Sequence, residues 1–124
     1  MKIIRTEKAE DSRLYSDGIL SGNLVFTGGK VGINPDTGML GRGIKEQTEL
    51  ALENVKAVLR AGRTSMENVV RVMIFLTDMS DYEQMNEVYE EYFGNKPPAR
   101  LCVGVTKLAL PDLKIEIDVI AEKK

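Results

Sequence analysis

Residues 97–121 read PPARLCVGVTKLALPDLKIEIDVIA and carry the clearest strand pattern in the chain. Because successive side chains of a strand point to opposite faces, Arg100 and Cys102 share one face of the first half. Apolar residues occupy the alternate positions 101, 103 and 105, as a strand with one face in the core requires. The stretch therefore predicts a strand that buries these three residues and presents Arg100 and Cys102 on a polar face.

The second half of the stretch repeats this alternation. Odd-numbered positions from 113 to 121 are apolar, whereas Glu116 and Asp118 lie between them. Pro111 and Asp112 are typical of a turn, so we expect the two strands to pair antiparallel as a hairpin. That pairing would collect four side chains on one small polar surface: Arg100, Cys102, Glu116 and Asp118. Ordinary solvated ion pairs are the alternative interpretation of these charges.

The motifs of this stretch also resemble those of a known family. Pro98-Ala99-Arg100, Cys102-Val103, Leu110-Pro111 and residues 114–118 are similar to the C-terminal signature of the RidA/YjgF family. The likeness continues, in order, through residues 34–38, 47–55 and 75–78 and through Asn86 with Tyr89, so it covers nearly the whole chain. It implies a homotrimer of chorismate-mutase-like fold that hydrolyses enamine and imine intermediates such as 2-aminoacrylate or 2-iminobutanoate to 2-keto acids and ammonia.

The resemblance further implies a ligand site between subunits. Arg100 would bind the substrate carboxylate, because a guanidinium offers it a planar pair of donors. Glu116 would orient or deprotonate the attacking water, and the backbone carbonyl of Cys102 would hold that water. The substrate-binding residues carried over are Tyr15, Gly29, Asn86 and Arg100. Structural alternatives are a half-buried aromatic for Tyr15, backbone bonding for Asn86 and a small buried hydrophobe for Cys102.

Three positions depart from the family pattern. Gly28 lacks the serine hydroxyl usual there, and Gly104 replaces a frequent glutamate. Lys30 adds a cation, which either favours a more acidic ligand or lies outside the site. The glycines at 28 and 29 do not form a phosphate-binding loop, since the spacing and the Ser or Thr after the lysine are missing. These departures leave the substrate preference open.

The amino-acid composition excludes several classes of function and of catalytic site. The 124 residues fit one domain spanning 1–124, and the net charge of −2 without a dense basic run gives no footprint for nucleic acid. The absence of histidine excludes Ser-His-Asp and Cys-His arrangements and the usual zinc sites, so we expect neither a metal nor a cofactor. No signal peptide and no run of about 18 apolar residues is present, so we expect a cytoplasmic protein without a membrane span.

Outside the C-terminal stretch, the pattern predicts two amphipathic helices and further strands. The first helix begins near Gly43 and ends at Gly62, where a left-handed residue is expected. The second follows the capping-box spacing of Ser80 and Glu83, has an inner stripe from Tyr82 to Phe93 and ends at Gly94. Between them, residues 69–77 form a strand that is apolar on both faces.

Two helices suffice to cover only one face of the sheet. Right-handed crossovers place both on the same side, which leaves Met73 and Phe75 bare in a monomer. We therefore expect self-association into a closed cyclic oligomer. The predicted fold class is α+β, a single mixed sheet of about five or six strands with two helices on one face and the other face buried in a homotrimer.

Three functions remain open from the sequence. The first is an enamine or imine deaminase. The second is a noncatalytic trimeric module that binds 2-keto acids through Arg100. The third, a ribonuclease or translation initiation inhibitor as some relatives are described, has no evident mechanism in an acidic chain without histidine.

Overall fold

The computed structural model describes residues 1–7 and 14–123, which contain seven strands and two α-helices. The strands are β1 (Lys2–Ile4), β2 (Gly18–Ser21), β3 (Leu24–Thr27), β4 (Lys30–Val31), β5 (Val69–Leu76), β6 (Ala99–Gly104) and β7 (Ile115–Glu122). The helices are α1 (Gly43–Ala61) and α2 (Tyr82–Phe93), and two 3₁₀ turns cover Met66–Asn68 and Met79–Asp81. The strand count exceeds the expected five or six because the run at 23–31 divides at Gly28 and Gly29 into β3 and β4.

Strand β5 lies inside the sheet, between β7 and the edge strand β6. The order is β1-β2-β3-β7-β5-β6, and β4 also pairs with β7. β7 runs antiparallel to β5, whereas β6 runs parallel to it. A strand-helix-strand crossover through α2 returns the chain parallel, and β5 can lie between two other strands because it is apolar on both faces. The predicted hairpin of β6 with β7 is therefore wrong, since β5 lies between them.

Both helices pack on one face of this sheet, as predicted. Side chains of β5 and β7 meet them there, and Val72, Ile74, Ile115 and Ile117 are fully buried. The opposite face carries partly exposed apolar side chains: Phe26, Met73, Phe75, Leu101 and Val103. Leu101 is 40% exposed, so the prediction that residues 101, 103 and 105 are core is wrong.

The end of α1 differs from the prediction in one detail. Gly62 has φ −84°, and the residue with positive φ is Arg63, at 62°. A Cβ at position 62 would lie 2.9 Å from Cδ1 of Ile4, so glycine is needed here for close packing rather than for a left-handed turn. In the described ranges, neither helix combines the length and apolarity that crossing a bilayer requires.

Candidate functional site

The sheet register separates the residues that the sequence placed together. Arg100 pairs with Val72 and Cys102 with Ile74, so both point toward the helices. Glu116 and Asp118 pair with β5 residues of the opposite, bare face. Two strand spacings, roughly 10 Å, also lie between β6 and β7. The prediction that one chain collects these four side chains on one polar surface is therefore wrong.

Arg100 belongs to what we call the arginine cluster: Tyr82, Asn86, Tyr89 and Arg100. Its Nη1 donates to Oδ1 of Asn86 at 2.7 Å, and its Nη2 donates to the hydroxyl of Tyr82 at 2.8 Å. The guanidinium carbon lies 4.8 Å from the ring centroid of Tyr89 and 5.5 Å from that of Tyr82. Side chains on one helix thus hold the guanidinium by hydrogen bonds and by cation–π contact.

This geometry leaves the arginine able to bind a ligand. Each terminal nitrogen carries two N–H groups, so one on each remains after the bonds to Asn86 and Tyr82. A parallel pair of donors fits a carboxylate. Asn86, for which backbone bonding was the alternative, instead accepts from Arg100. Burial raises the pKa of Tyr89, with Arg100 opposing the shift, so this ring stays neutral beside the guanidinium.

Cys102 follows Arg100 on the same face of β6. Its side chain is partly buried against the core. Burial raises the pKa of the thiol, and the nearby Arg100 only partly opposes the shift. A neutral thiol is a poor nucleophile. The side chain therefore behaves as a small hydrophobe, and the role of its carbonyl stays a prediction.

Glu116 lies in a different place, which we call the glutamate cleft. This cavity has a volume of about 1260 Å³, and Tyr15, Gly29, Lys30, Leu110 and Glu116 are among its lining residues. Gly29 directly contacts the glutamate, since a Cβ at position 29 would lie 2.8 Å from Cδ of Glu116. A larger residue at position 29 would have to displace the Glu116 carboxylate. Tyr15, Gly29 and Glu116 are thus brought together, apart from Asn86 and Arg100.

The electrostatic setting of Glu116 favours a base. Burial raises the pKa of its carboxyl, and the charge of Asp118 raises it further. Burial also raises the pKa of Asp118, against the opposing charge of Arg71. A carboxylate with a raised pKa binds a proton more readily than a solvated one. The structure thus places a carboxyl group with a raised pKa in the wall of the cleft.

The three residues that depart from the family pattern, Gly28, Lys30 and Gly104, have different surroundings in the structure. Lys30 Nζ lies 2.8 Å from Oδ1 of Asp17 and lines the cleft. The Gly28 N–H donates to the carbonyl of Asp17 at 2.8 Å. A Cβ at Gly104 would meet Cγ of Met79 at 3.0 Å, so a larger residue would have to displace that side chain.

Tyr82, Tyr89 and Asp17 were not among the predicted functional residues. The two tyrosines lie four before and three after Asn86 and therefore on one helical face, which is a signal the spacing did contain. Asp17 immediately precedes β2, whose first residue, Gly18, pairs with Thr27. A correct hairpin register would have placed Asp17 beside the segment that carries Lys30. In the described part of the chain, no group of three or more His, Cys, Asp or Glu side chains is positioned to hold a metal ion.

Known proteins resemble this chain over its whole length. The family model described as endoribonuclease L-PSP matches residues 6–123. A RutC family protein of Pyrococcus abyssi is 44% identical, over 99% of this chain and 98% of that protein. The Escherichia coli protein provisionally named reactive intermediate deaminase TdcF is 37% identical, over 97% of this chain and 95% of its own. The crystal structure of E. coli TdcF with bound serine superposes with a TM-score of 0.92 at 36% identity, covering 100% of both chains.

Proposed function

The chain belongs to the RidA/YjgF family, and from that premise we propose that it is an enamine and imine deaminase. Its substrates are reactive 2-imino acids such as 2-aminoacrylate and 2-iminobutanoate, and its products are 2-keto acids and ammonia. The relative TdcF carries a deaminase name and has been crystallised with serine, a small amino acid. The single observation in this chain that carries the proposal is Arg100, held with paired donors left for a carboxylate.

The complete site forms between two copies of the chain. One copy supplies the arginine cluster, and the neighbouring copy supplies the glutamate cleft with Tyr15 and Gly29. Support comes from the separation of these groups within one chain and from the position of β6 at the end of the described sheet. The partly exposed apolar face, with Phe75 and Leu101, provides the surface for association into a cyclic trimer.

The reaction needs few groups. Arg100 binds the substrate carboxylate and fixes the position of the C=N bond. Water adds to the imine carbon, and Glu116 accepts a proton from that water. The resulting carbinolamine expels ammonia when its nitrogen is protonated and its hydroxyl loses a proton, which leaves the 2-keto acid. An iminium carbon is already electrophilic, so one carboxylate base is sufficient.

The test measures ammonia and keto acid released from imino acids that an amino-acid oxidase generates in situ. Wild type should accelerate the release above the buffer rate. Arg100→Lys should lower kcat/KM by roughly thirty- to a thousandfold, equivalent to about 2 to 4 kcal/mol, because it loses the bidentate contact. Glu116→Gln should still bind 2-ketobutyrate but should lose turnover, because the amide keeps the shape and removes the base.

Other outcomes select the alternative functions. If wild type binds 2-ketobutyrate, Arg100→Lys does not, and neither accelerates hydrolysis, the protein is a noncatalytic binding module. If purified wild type degrades RNA and both variants lose that activity, the ribonuclease function is correct and the deaminase proposal fails.

A further inference from the structure

Asp17 joins three segments of the chain in the wall of the glutamate cleft. Its carboxylate accepts from Lys30 Nζ at 2.8 Å and from the Thr6 backbone N–H at 3.1 Å. Its carbonyl accepts from the Gly28 N–H at 2.8 Å. The residue therefore ties the end of β1, the start of β2 and the turn before β4 to one point.

Two of these segments carry residues of the proposed site. Tyr15 lies two positions before Asp17, and Gly29 immediately precedes Lys30. The side chain of Tyr15 is 68% exposed, so its own packing does little to fix its position, whereas Asp17 is 6% exposed. Gly29 in turn contacts Glu116. The Asp17–Lys30 bond thus sets the Tyr15 segment against the Gly29 segment.

The burial of this ion pair distinguishes it from the exposed pair that joins the helices. The side chains of Lys30 and Asp17 are 19% and 8% exposed, whereas those of Lys45 and Glu87 are 57% and 63% exposed. Removal of one partner from a buried pair leaves an uncompensated charge, but an exposed pair contributes little. Of these two pairs, the buried one is therefore the more costly to break.

We propose that Asp17 and Lys30 are a positioning pair that holds Tyr15 and Gly29 in register around Glu116. Neither residue touches the reacting atoms. Because Lys30 Nζ is paired with the Asp17 carboxylate, we assign Lys30 to holding the wall of the cleft rather than to binding a second substrate anion. Of the two interpretations of Lys30, a cation that favours a more acidic ligand and a residue outside substrate binding, this role corresponds to the second. Its kinetic consequence rests on the proposed deaminase function, and its structural consequence does not.

The kinetic arm compares Asp17→Asn, Lys30→Gln and the double variant with wild type in the imine assay. Each single variant should lower kcat/KM about tenfold, mainly through kcat, because the two segments lose their register. The double variant should recover to within about threefold of wild type, because two neutral amides can remake the bond. Lys45→Gln and Glu87→Gln are the matched controls, and both should keep wild-type kinetics.

The structural arm uses ligand-free protein at a temperature where every variant is folded. The NMR contact between the Gly29 amide and the side chain of Glu116 should weaken in both single variants and return in the double variant. A pair that only stabilises the fold would lower Tm in the single variants and leave this contact and the kinetics unchanged, and that result would overturn the proposal. Should Asp17→Asn fail to fold, Lys30→Gln provides the same comparison, because it leaves the Thr6 bond intact.

The imine assay and the NMR measurement together distinguish an incorrect positioning pair from an incorrect deaminase function. Wild type that hydrolyses imines, with single variants as active as wild type, would reject the positioning pair and leave the deaminase function standing. Wild type without hydrolysis would reject the deaminase function, and the NMR contact alone would then decide whether the pair positions Gly29.

Discussion

The position of the Arg100 guanidinium is fixed by its neighbours, unlike that of a solvated arginine. Tyr82, Asn86 and Tyr89 follow one another along one face of α2, and all three contact the guanidinium. Fixing a long side chain before the ligand arrives reduces the entropy that binding must overcome. The affinity for a carboxylate should therefore respond to changes in this cluster that leave Arg100 itself intact.

Tyr82→Phe tests that dependence. It keeps the aromatic ring and removes the hydroxyl that accepts from Arg100 Nη2 at 2.8 Å. We expect the Kd for 2-ketobutyrate, measured by calorimetry, to rise about three- to tenfold through the loss of one charge-assisted bond. Tyr92→Phe is the control, because the Tyr92 hydroxyl donates to Glu53 at 2.8 Å and does not bond Arg100. Equal affinities for all three proteins would show that Tyr82 does not hold Arg100.

The raised pKa of Glu116 predicts the pH dependence of turnover. A base must be ionised, so kcat/KM should fall as pH drops, with the acid limb above the ordinary glutamate value of about 4.3. A raised folded-state pKa also means that the stability from Glu116 is present below its unfolded pKa and lost as pH rises through the folded one. Glu116→Gln should therefore show an equal or higher Tm at pH 7. If the acid limb of kcat/KM lies at or below about pH 4.3, or if Glu116→Gln clearly lowers Tm at pH 7, Glu116 is not a base with a raised pKa.

Among the structural elements, the connection 105–114 between β6 and β7 is bonded by a buried side chain of α1. Gln47 of α1 donates to the carbonyls of Gly41 and Asp112 at 3.3 and 3.0 Å and accepts from the Lys114 N–H at 2.8 Å. It is 2% exposed. The loop that this glutamine holds also brings Leu110 to the glutamate cleft.

Gln47→Leu should destabilise the protein by about 2 to 4 kcal/mol, because it leaves buried backbone groups without partners. Urea unfolding gives the magnitude, and hydrogen exchange should locate the loss at the Lys114 amide. Thr48→Val is the matched control, since its buried hydroxyl bonds only the carbonyl of Ile44 one turn earlier on the same helix. If both variants lose a similar free energy of unfolding, the bonds from Gln47 to the connection 105–114 contribute no more than a hydrogen bond within the helix.

For the whole molecule, we expect assembly to depend on the bare sheet face. Met73 and Phe75 share that face with Leu101 and with Glu116, so the surface that would bury apolar area adjoins the glutamate cleft. Assembly and site formation are therefore expected to depend on the same surface.

Phe75→Glu should dissociate the assembly. Light scattering of wild type should give a mass near three times the 13.8 kDa chain, and the variant should give a smaller one, because a buried unpaired carboxylate costs several kcal/mol. Met39→Glu is the control, since Met39 is 67% exposed and lies outside the sheet. A wild-type mass of one chain at micromolar concentration would reject both the trimer and the shared site.

Mixing two inactive variants tests where the site lies. If each site takes Arg100 from one subunit and Glu116 from the next, refolding Arg100→Lys with Glu116→Gln should restore about a quarter of wild-type activity, because one site in four then has both side chains. Refolding either variant alone is the control. A site contained in one chain would stay inactive in the mixture, because every chain then lacks one of the two groups.

The sequence by itself determined the element types, the two helices on one face and the family, because periodicity and motifs are local. Arg100, Glu116, Gly29 and Asn86 could be proposed as site residues in the same way, because each lies in a short motif that resembles the family, and their roles stay predictions. Tertiary structure alone decided which strands pair, and β5, which is apolar on both faces, lies between β6 and β7. Strand alternation specifies two faces but not which faces the helices, so only the register could place Arg100 and Glu116 on opposite sides.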